Sequence, residues 1–167
     1  MQWLSGFTGF RFRTLFVSLL VVYLILNQAK CSAREKNGVW LATLVYFLLR
    51  VAGELGAAVT GLWIYQVESM ALGGMPLDIF MAMAVFFGGC SALVQWYLAP
   101  RGTSSQKIAS YFGLALLATL YDYWANIMYG LFSLGIGNYA VKFSGFFILT
   151  LVTASFYAWY TRNDVAE

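Results

Sequence analysis

Five long apolar stretches divide this chain of 167 residues, and they constrain its fold more than any other feature. Hydrophobic residues make up 61% of the chain and charged residues 10%, whereas about a quarter of an ordinary globular domain is charged. Inside a bilayer only helices and closed barrels satisfy their backbone hydrogen bonds, and the alternating short strands of a barrel are missing here. The sequence therefore predicts an all-α polytopic membrane helix bundle. As a single integral membrane domain, residues 1–167 would form about five spans, near 14–29, 39–66, 77–99, 107–134 and 141–160.

Basic residues cluster in the segments that would lie on one side of the membrane. They are Lys30, Arg34, Lys36, Arg101, Lys107 and Arg162, whereas the loops 67–74 and 135–140 contain no Lys or Arg. By the positive-inside rule, this distribution predicts a multi-pass protein of the inner (plasma) membrane with a cytoplasmic C-terminus. Five spans would put the N-terminus outside, where Arg11 and Arg13 are a counter-signal unless the first segment lies on the membrane surface.

Several classes of chemistry are disfavoured by composition. Histidine is absent, which removes the usual axial ligand of haem and the commonest protein ligand of zinc, copper and non-haem iron. We therefore expect no metal site and no cofactor. Cys31 and Cys90 are read as free thiols without a role. A net charge of +3 is ordinary for an inner-membrane protein and predicts no nucleic-acid partner.

An ionisable pair lies inside the second stretch. Arg50 and Glu54 are four residues apart, a spacing that stacks two side chains on one face of a helix. A charged carboxyl group in the hydrocarbon costs about 2.5 kcal/mol or more and is kept mostly where it has a function. One hypothesis is that Arg50 keeps Glu54 ionised, or tunes its proton affinity, inside a substrate cavity. The alternative is that the pair only holds the bundle together.

The fourth stretch carries a polar stripe on an otherwise apolar helix. Its members recur at helical spacing and are Thr119, Asp122, Asn126 and Tyr129. We expect such a stripe to face protein or a cavity, not lipid. A buried Asp122 could hold a proton near neutral pH and deliver it to an apolar substrate. A hydrogen-bonded cluster that only packs helices together is the alternative.

An internal repeat relates the second and third stretches to the fourth and fifth. Glu54 precedes Gly61 by seven residues and Asp122 precedes Gly130 by eight, and each glycine leads into an aromatic exit, a short loop and a return helix. Two parallel units would face each other across a pseudo-twofold axis along the membrane normal, with sites at their interface. Chance similarity between two hydrophobic hairpins is the alternative.

Further candidates come from the third stretch and from the aromatic residues. Asp78 follows Pro76 in the first turn of a predicted helix, where a carboxylate also complements the positive helix end. Aromatic rings near the acids belong either to the interfacial belt or to cavity walls that would stabilise a carbocation. The candidate catalytic residues are thus Glu54, Asp122 and Asp78. The candidate substrate-binding residues are Arg50, Trp63, Tyr65, Tyr121, Trp124, Asn126 and Tyr129.

One segment combines an acid, a glycine-aromatic exit and a Pro-Leu-acid start to the next helix. It consists of Glu54, Gly61-Leu62-Trp63-Ile64-Tyr65 and Gly74-Met75-Pro76-Leu77-Asp78. This arrangement resembles the repeat unit of the small membrane-bound carotenoid enzymes, the heterodimeric-type lycopene cyclases and the related carotenoid hydratases. The resemblance covers the second to fifth stretches. It implies a non-redox acid–base reaction on a C40 polyene, with Glu54, Asp78 and Asp122 as the matching acids.

The chain also departs from that family's pattern. Ile79 stands where the family usually has a second acid, directly after Asp78. The second unit has Phe143-Ser144-Gly145 in place of the proline and the acid. The fold can therefore carry over without the chemistry.

Three functions follow from these features. The first is an isoprenoid- or carotenoid-modifying enzyme of the cyclase or hydratase type that works through buried carboxyls. The second is a non-catalytic accessory or scaffold subunit of a larger membrane complex. The third is a small proton-coupled or lipid transporter. The expected partners are the lipid bilayer, a polyene or isoprenoid substrate for the enzyme, and copies of this chain or other membrane subunits for an assembly.

Overall fold

The computed structural model describes residues 7–65, 71–72, 75–130 and 132–162, and of this part of the chain most is helical. The helices are α1 (Phe7–Gln28), α2 (Ala33–Val59), α3 (Leu77–Met83), α4 (Gly89–Leu98), α5 (Ser104–Tyr129) and α6 (Tyr139–Arg162). A π-helical turn, Ala84–Gly88, joins α3 to α4 in one continuous run. Short strands are β1 (Trp63–Tyr65), β2 (Ala71–Leu72), β3 (Met75–Pro76) and β4 (Phe132–Leu134).

Three helical segments in the described residues are long and apolar enough to cross a membrane. They are Ala33–Val59, Ile79–Leu98 and Tyr139–Arg162, and a shorter apolar helix covers Arg13–Gln28. At 1.5 Å per residue, the 27 residues of the first segment extend about 40 Å, more than the roughly 30 Å of hydrocarbon in a bilayer. The predicted all-α membrane bundle is confirmed at this level of detail.

Capping boxes explain why two helices begin before their apolar stretches do. The Ser32 hydroxyl accepts a hydrogen bond from the backbone N–H of Glu35, and the Glu35 side chain accepts one from the backbone N–H of Ser32. Thr103 and Gln106 form the same reciprocal pair at the start of α5. These polar residues satisfy amides that the first helical turn leaves unpaired. Helix α2 therefore starts at Ala33 and α5 at Ser104.

Glycine turns end the same two helices earlier than the apolar stretches predict. Gly61 and Gly130 have φ angles of 71° and 59°, in the left-handed region that glycine adopts without strain. The chain then leaves the helix and forms strands that pair antiparallel, with Ile64 opposite Ser133. The stretches 39–66 and 107–134 thus each contain a helix, a glycine turn and all or part of a strand, because an apolar run does not distinguish a helix from a short strand.

The two ends of the bundle differ in character. At one end Arg34 donates a hydrogen bond to the carbonyl of Tyr160, and Trp96 donates one of 2.8 Å to Glu35. These contacts bring the start of α2, the end of α4 and the end of α6 together, and we call this the basic end. The opposite end carries the β1–β4 pair, and we call it the sheet end.

A close helix crossing occupies the middle of the bundle. A Cβ atom on Gly88 would lie 2.8 Å from the Cβ of Tyr46, and one on Gly89 would lie 3.2 Å from a methyl group of Val22. Glycine is required here because the π-helical turn approaches α2 too closely for a side chain. Tyr46 is fully buried and belongs to the core between α2, the third helical run, α5 and α6.

Candidate functional site

Four charged side chains from three helices meet inside the bundle. Arg50 and Glu54 come from α2, Asp122 from α5 and Lys142 from α6, and each residue is at most 4% exposed. Two cations and two anions give the cluster a formal charge of zero. We call it the charge quartet. Buried charges need such compensation, because an unpaired ion in an apolar interior is strongly disfavoured.

Each carboxylate of the charge quartet lies near both cations. Arg50 Nη2 is 2.7 Å from Glu54 Oε1 and 3.4 Å from Asp122 Oδ1. Lys142 Nζ is 2.7 Å from Asp122 Oδ2 and 3.9 Å from Glu54 Oε1. The four groups therefore alternate in sign around a closed ring, in which each acid lies between the two cations.

Aromatic rings enclose Lys142 on the sheet side of the charge quartet. Its ammonium nitrogen lies 4.3 Å from the centroid of the Trp63 ring and 3.9 Å from that of Phe132. Trp63 also donates a short hydrogen bond from its indole N–H to Glu54. Ring faces attract a cation, and desolvation strengthens this attraction. Trp63 thus contacts both an acid and a base of the cluster.

Arg50 is held between two further rings. The centre of its guanidinium group is 4.2 Å from the centroid of Phe146 and 5.0 Å from that of Phe80. Phe146 is on α6 and Phe80 on α3, and both are buried. Both rings are therefore within cation–π distance of the guanidinium group.

Helix geometry places the charge quartet in the sheet-end half of the bundle. Arg50 and Glu54 stack on one face of α2 because they are four residues apart. Glu54 lies five residues before Val59, the last residue of α2, which is about 8 Å along the helix axis. Lys142 lies three residues after Tyr139, the first residue of α6, and reaches the same level. The cluster is therefore nearer one end of the bundle than its middle.

An apolar cavity of about 610 Å³ adjoins the charge quartet between α2, β1 and α6. Its charged lining residues are Arg50, Glu54 and Lys142, and most of the others are aliphatic or aromatic. The volume is within the roughly 300–1,000 Å³ range of small-molecule sites, which are mostly apolar with a few polar groups. The site can therefore hold an apolar molecule against one carboxyl group and two cationic side chains.

Asp122 faces other side chains of the bundle, which is one of the two surroundings expected for the polar stripe. It is not a lining residue of this cavity and lies behind Lys142 and Arg50. Two cations contact its carboxyl group, Lys142 at 2.7 Å and Arg50 at 3.4 Å. The sequence reading did not include Lys142, and a catalytic role of Asp122 stays a prediction.

Two aromatic candidates line a different cavity. Tyr121 and Trp124 lie beside a second space of about 380 Å³ between α1, the third helical run and α5. Phe86 and Phe87 of the π-helical turn also line it. Tyr121 and Trp124 therefore line a different space from the one that Glu54 lines.

Other candidates are local structural residues or are described by backbone alone. Asn126 accepts a hydrogen bond of 2.9 Å from the backbone N–H of Phe132 and so fixes the start of β4. Its amide also donates to the hydroxyl of Tyr139, at 3.3 Å. The remaining candidates lie in β1, in the first turn of α3 and at the last residue of α5, and their side chains are outside the described part: Tyr65, Asp78 and Tyr129.

Lys142 and the phenylalanines of the site, Phe80, Phe132 and Phe146, are residues that sequence reasoning missed. A signal for Lys142 was present, because two acids and Arg50 alone would leave one negative charge without compensation in the membrane. The contact of Phe132 with Lys142 depends on the pairing of β1 with β4, which no local pattern indicates.

The fold and the site together define a helical bundle of the membrane type with a neutral cluster of buried charges beside an apolar cavity. Comparisons with protein families, with curated proteins and with solved structures give no match for this chain.

Proposed function

We propose that this protein is a multi-pass inner-membrane enzyme that carries out non-redox acid–base chemistry on a neutral isoprenoid or carotenoid-type lipid. The substrate would bind in the cavity between α2 and α6. The observation that carries the proposal is the position of Glu54 and Lys142 on the wall of an otherwise apolar cavity. An acid, a base and aromatic rings beside apolar space are the groups that proton transfer to and from a polyene requires.

The proposed topology has five spans and a cytoplasmic C-terminus. Helices α1, α2, α5 and α6 and the continuous run Leu77–Leu98 are the five segments. The basic residues of the loops lie at the basic end of the bundle. By the positive-inside rule, this distribution supports a cytoplasmic location for that end. The sheet end would then face the outer side of the inner membrane.

A twofold relation between the α2–β1 and α5–β4 units is also part of the proposal. Both helices end in a glycine turn and both strands follow it, and the strand register is symmetric about the pair Ile64 and Ser133. Glu54 precedes its glycine by seven residues and Asp122 by eight. One residue turns a helix by about 100°, so the two acids point in different directions relative to the symmetric turns. This offset accounts for one acid facing the cavity and the other lying behind it.

The charge quartet offers a route to a proton donor without creating net charge. Transfer of a proton from the Lys142 ammonium to Glu54 would leave a neutral amine and a carboxylic acid. Glu54 could then protonate one carbon of a polyene, and a proton lost from a neighbouring carbon would return to the cluster. The reaction is balanced and needs no oxidant or reductant. Asp122 acts as a positioning residue, because it holds Lys142 at 2.7 Å.

Charge balance favours a neutral ligand. The four charges already sum to zero, so an ionised headgroup in the same apolar space would leave one charge uncompensated. A hydrocarbon, alcohol or carbonyl compound adds no such penalty. This argument selects neutral isoprenoids over anionic lipids.

The test is turnover in proteoliposomes supplied with an acyclic C40 polyene such as lycopene. We expect Glu54→Gln to abolish product formation, measured by chromatography with absorption detection. Glu35→Gln is the matched control, because glutamine preserves the capping box and Glu35 lies at the basic end, outside the cavity. Wild-type turnover by a folded Glu54→Gln variant would refute the proposed chemistry.

A second candidate function is a non-catalytic accessory subunit, which one observation favours. Helix α5 exposes a row of large apolar side chains, among them Ile108, Phe112, Leu116 and Ile127, that either lipid or a partner helix could cover. Stoichiometric co-purification with other membrane chains, together with no turnover by the wild-type protein, would decide for this alternative.

A further inference from the structure

We infer that the cavity between α2 and α6 takes up its ligand sideways from the bilayer, through a mouth that Gly53, Gly56 and Gly145 keep open. The inference uses the ligand class of the proposed function, a neutral isoprenoid chain, but not its chemistry. It assigns these three glycines a role in ligand access.

The mouth lies on surfaces that would face lipid. Gly53 and Gly56 on α2 and Gly145 on α6 line the cavity and are exposed. Ile148 and Val152, which also line it, are 60% and 43% exposed. Both helices are among the segments long and apolar enough to cross a membrane. The opening between them is therefore directed toward hydrocarbon.

Packing does not explain the three glycines. Among the residues that the structure describes, none comes within 4 Å of a Cβ atom built on Gly53, Gly56 or Gly145. Gly88 is the contrast, because a Cβ there would overlap Tyr46. Glycine inside a helix is destabilising relative to alanine. Three glycines around one opening therefore lower the stability of their helices. Their contribution is the open space at the mouth of the cavity.

The path from this mouth ends at the charge quartet. Glu54 and Lys142 line the same cavity as the three glycines. An elongated ligand could place one end against these groups while the rest of its chain stays in the bilayer. A volume of about 610 Å³ is then sufficient even for a molecule longer than the cavity.

The experiment uses a diazirine-bearing analogue of geranylgeraniol, a neutral C20 alcohol, in proteoliposomes of the full chain. Photo-crosslinked peptides would be mapped by mass spectrometry. We expect crosslinks on α2 and α6 in the wild-type protein, with at least a tenfold loss of yield in Gly53→Leu and Gly145→Leu. Gly113→Leu on α5 is the matched control, because no described residue comes within 4 Å of a Cβ built on Gly113 and Gly113 is not a lining residue of the cavity.

A second experiment blocks the mouth of the cavity after the protein has folded. Gly145→Cys in a background without Cys31 and Cys90 would be labelled with a bulky thiol reagent in the folded protein, and labelling should remove the crosslinks. Wild-type yields in all three blocked forms would overturn the inference, as would an equal loss in Gly113→Leu. Crosslinks confined to the second cavity, near Trp124, would also overturn it.

The outcomes separate this inference from the proposed function. If blocking the mouth removes crosslinking while no polyene is ever converted, the access route stands and the proposed chemistry fails. If the wild-type protein converts a polyene and the blocked variants convert it equally well, the chemistry stands and the access route is wrong.

Discussion

Replacing Lys142 by methionine tests whether the charge quartet is held together by charge compensation. The change removes the contact of 2.7 Å to Asp122 and the weaker one of 3.9 Å to Glu54, and leaves two carboxylates with Arg50 alone. Lys142 is 2% exposed, so water does not screen the uncompensated charge. Breaking a buried ion pair by removing one partner costs about 3–5 kcal/mol. We expect a loss of that size in the free energy of unfolding.

The double variant Lys142→Met/Asp122→Asn provides the decisive comparison. It restores neutrality, because Arg50 and Glu54 remain as a single pair at 2.7 Å. We expect it to be more stable than Lys142→Met alone, with a coupling energy of at least about 1 kcal/mol. The assay is equilibrium unfolding in mixed detergent micelles with increasing denaturing detergent. Lys30→Met is the matched control, since Lys30 is exposed in the α1–α2 turn and its replacement should stay within about 0.5 kcal/mol.

Additive effects of the two substitutions would refute this account of the site. Additivity would mean that Lys142 and Asp122 do not compensate each other in the folded protein. A loss in Lys142→Met no larger than in Lys30→Met would lead to the same conclusion. Either result would also remove the basis for the proposed proton transfer between Lys142 and Glu54.

Two further predictions concern packing and a thiol. Gly88→Ala should lower the free energy of unfolding by about 1–3 kcal/mol, because the new Cβ would lie 2.8 Å from the Cβ of Tyr46. Gly113→Ala should not destabilise the protein. Unfolding titrations of both variants measure the two effects. Burial, and to a lesser degree the Glu35 carboxylate, raise the pKa of the Cys31 thiol. The rate at which a membrane-impermeant maleimide labels Cys31 should therefore rise about tenfold from pH 7 to pH 8. A labelling rate that does not depend on pH would contradict this.

The helical class was predictable from the apolar stretches, but the helix ends were not. An apolar composition indicates which residues are buried in lipid. It does not indicate the polar capping boxes with which α2 and α5 begin. The pattern Ser32-x-x-Glu35 was available in the sequence and would have moved the start of α2. The strands β1 and β4 could not be predicted in the same way, because each is three residues long and is stabilised by a partner about 70 residues away.

The candidate site was predictable only where its contacts are local. Arg50 and Glu54 were found because one helical turn joins them, and Trp63 follows nine residues after Glu54, in β1 just beyond the end of the same helix. Lys142 comes from α6, and its proximity to Asp122 depends on how α5 and α6 pack. A residue-by-residue search for acids could not show that contact. A requirement for zero net charge in the bundle interior would have directed attention to it.

The charge quartet is not explained by stability alone. Replacing a buried ion pair with apolar side chains of similar volume is often neutral or stabilising. A cluster of Arg50, Glu54, Asp122 and Lys142 is therefore an expensive way to hold three helices together, and ionisable groups within a membrane usually mark functional sites. The charge quartet lies beside an apolar cavity in which a ligand could contact Glu54 and Lys142. Neutrality allows two acids to be buried in the bundle interior, and Glu54 lines the cavity while Asp122 contacts Lys142.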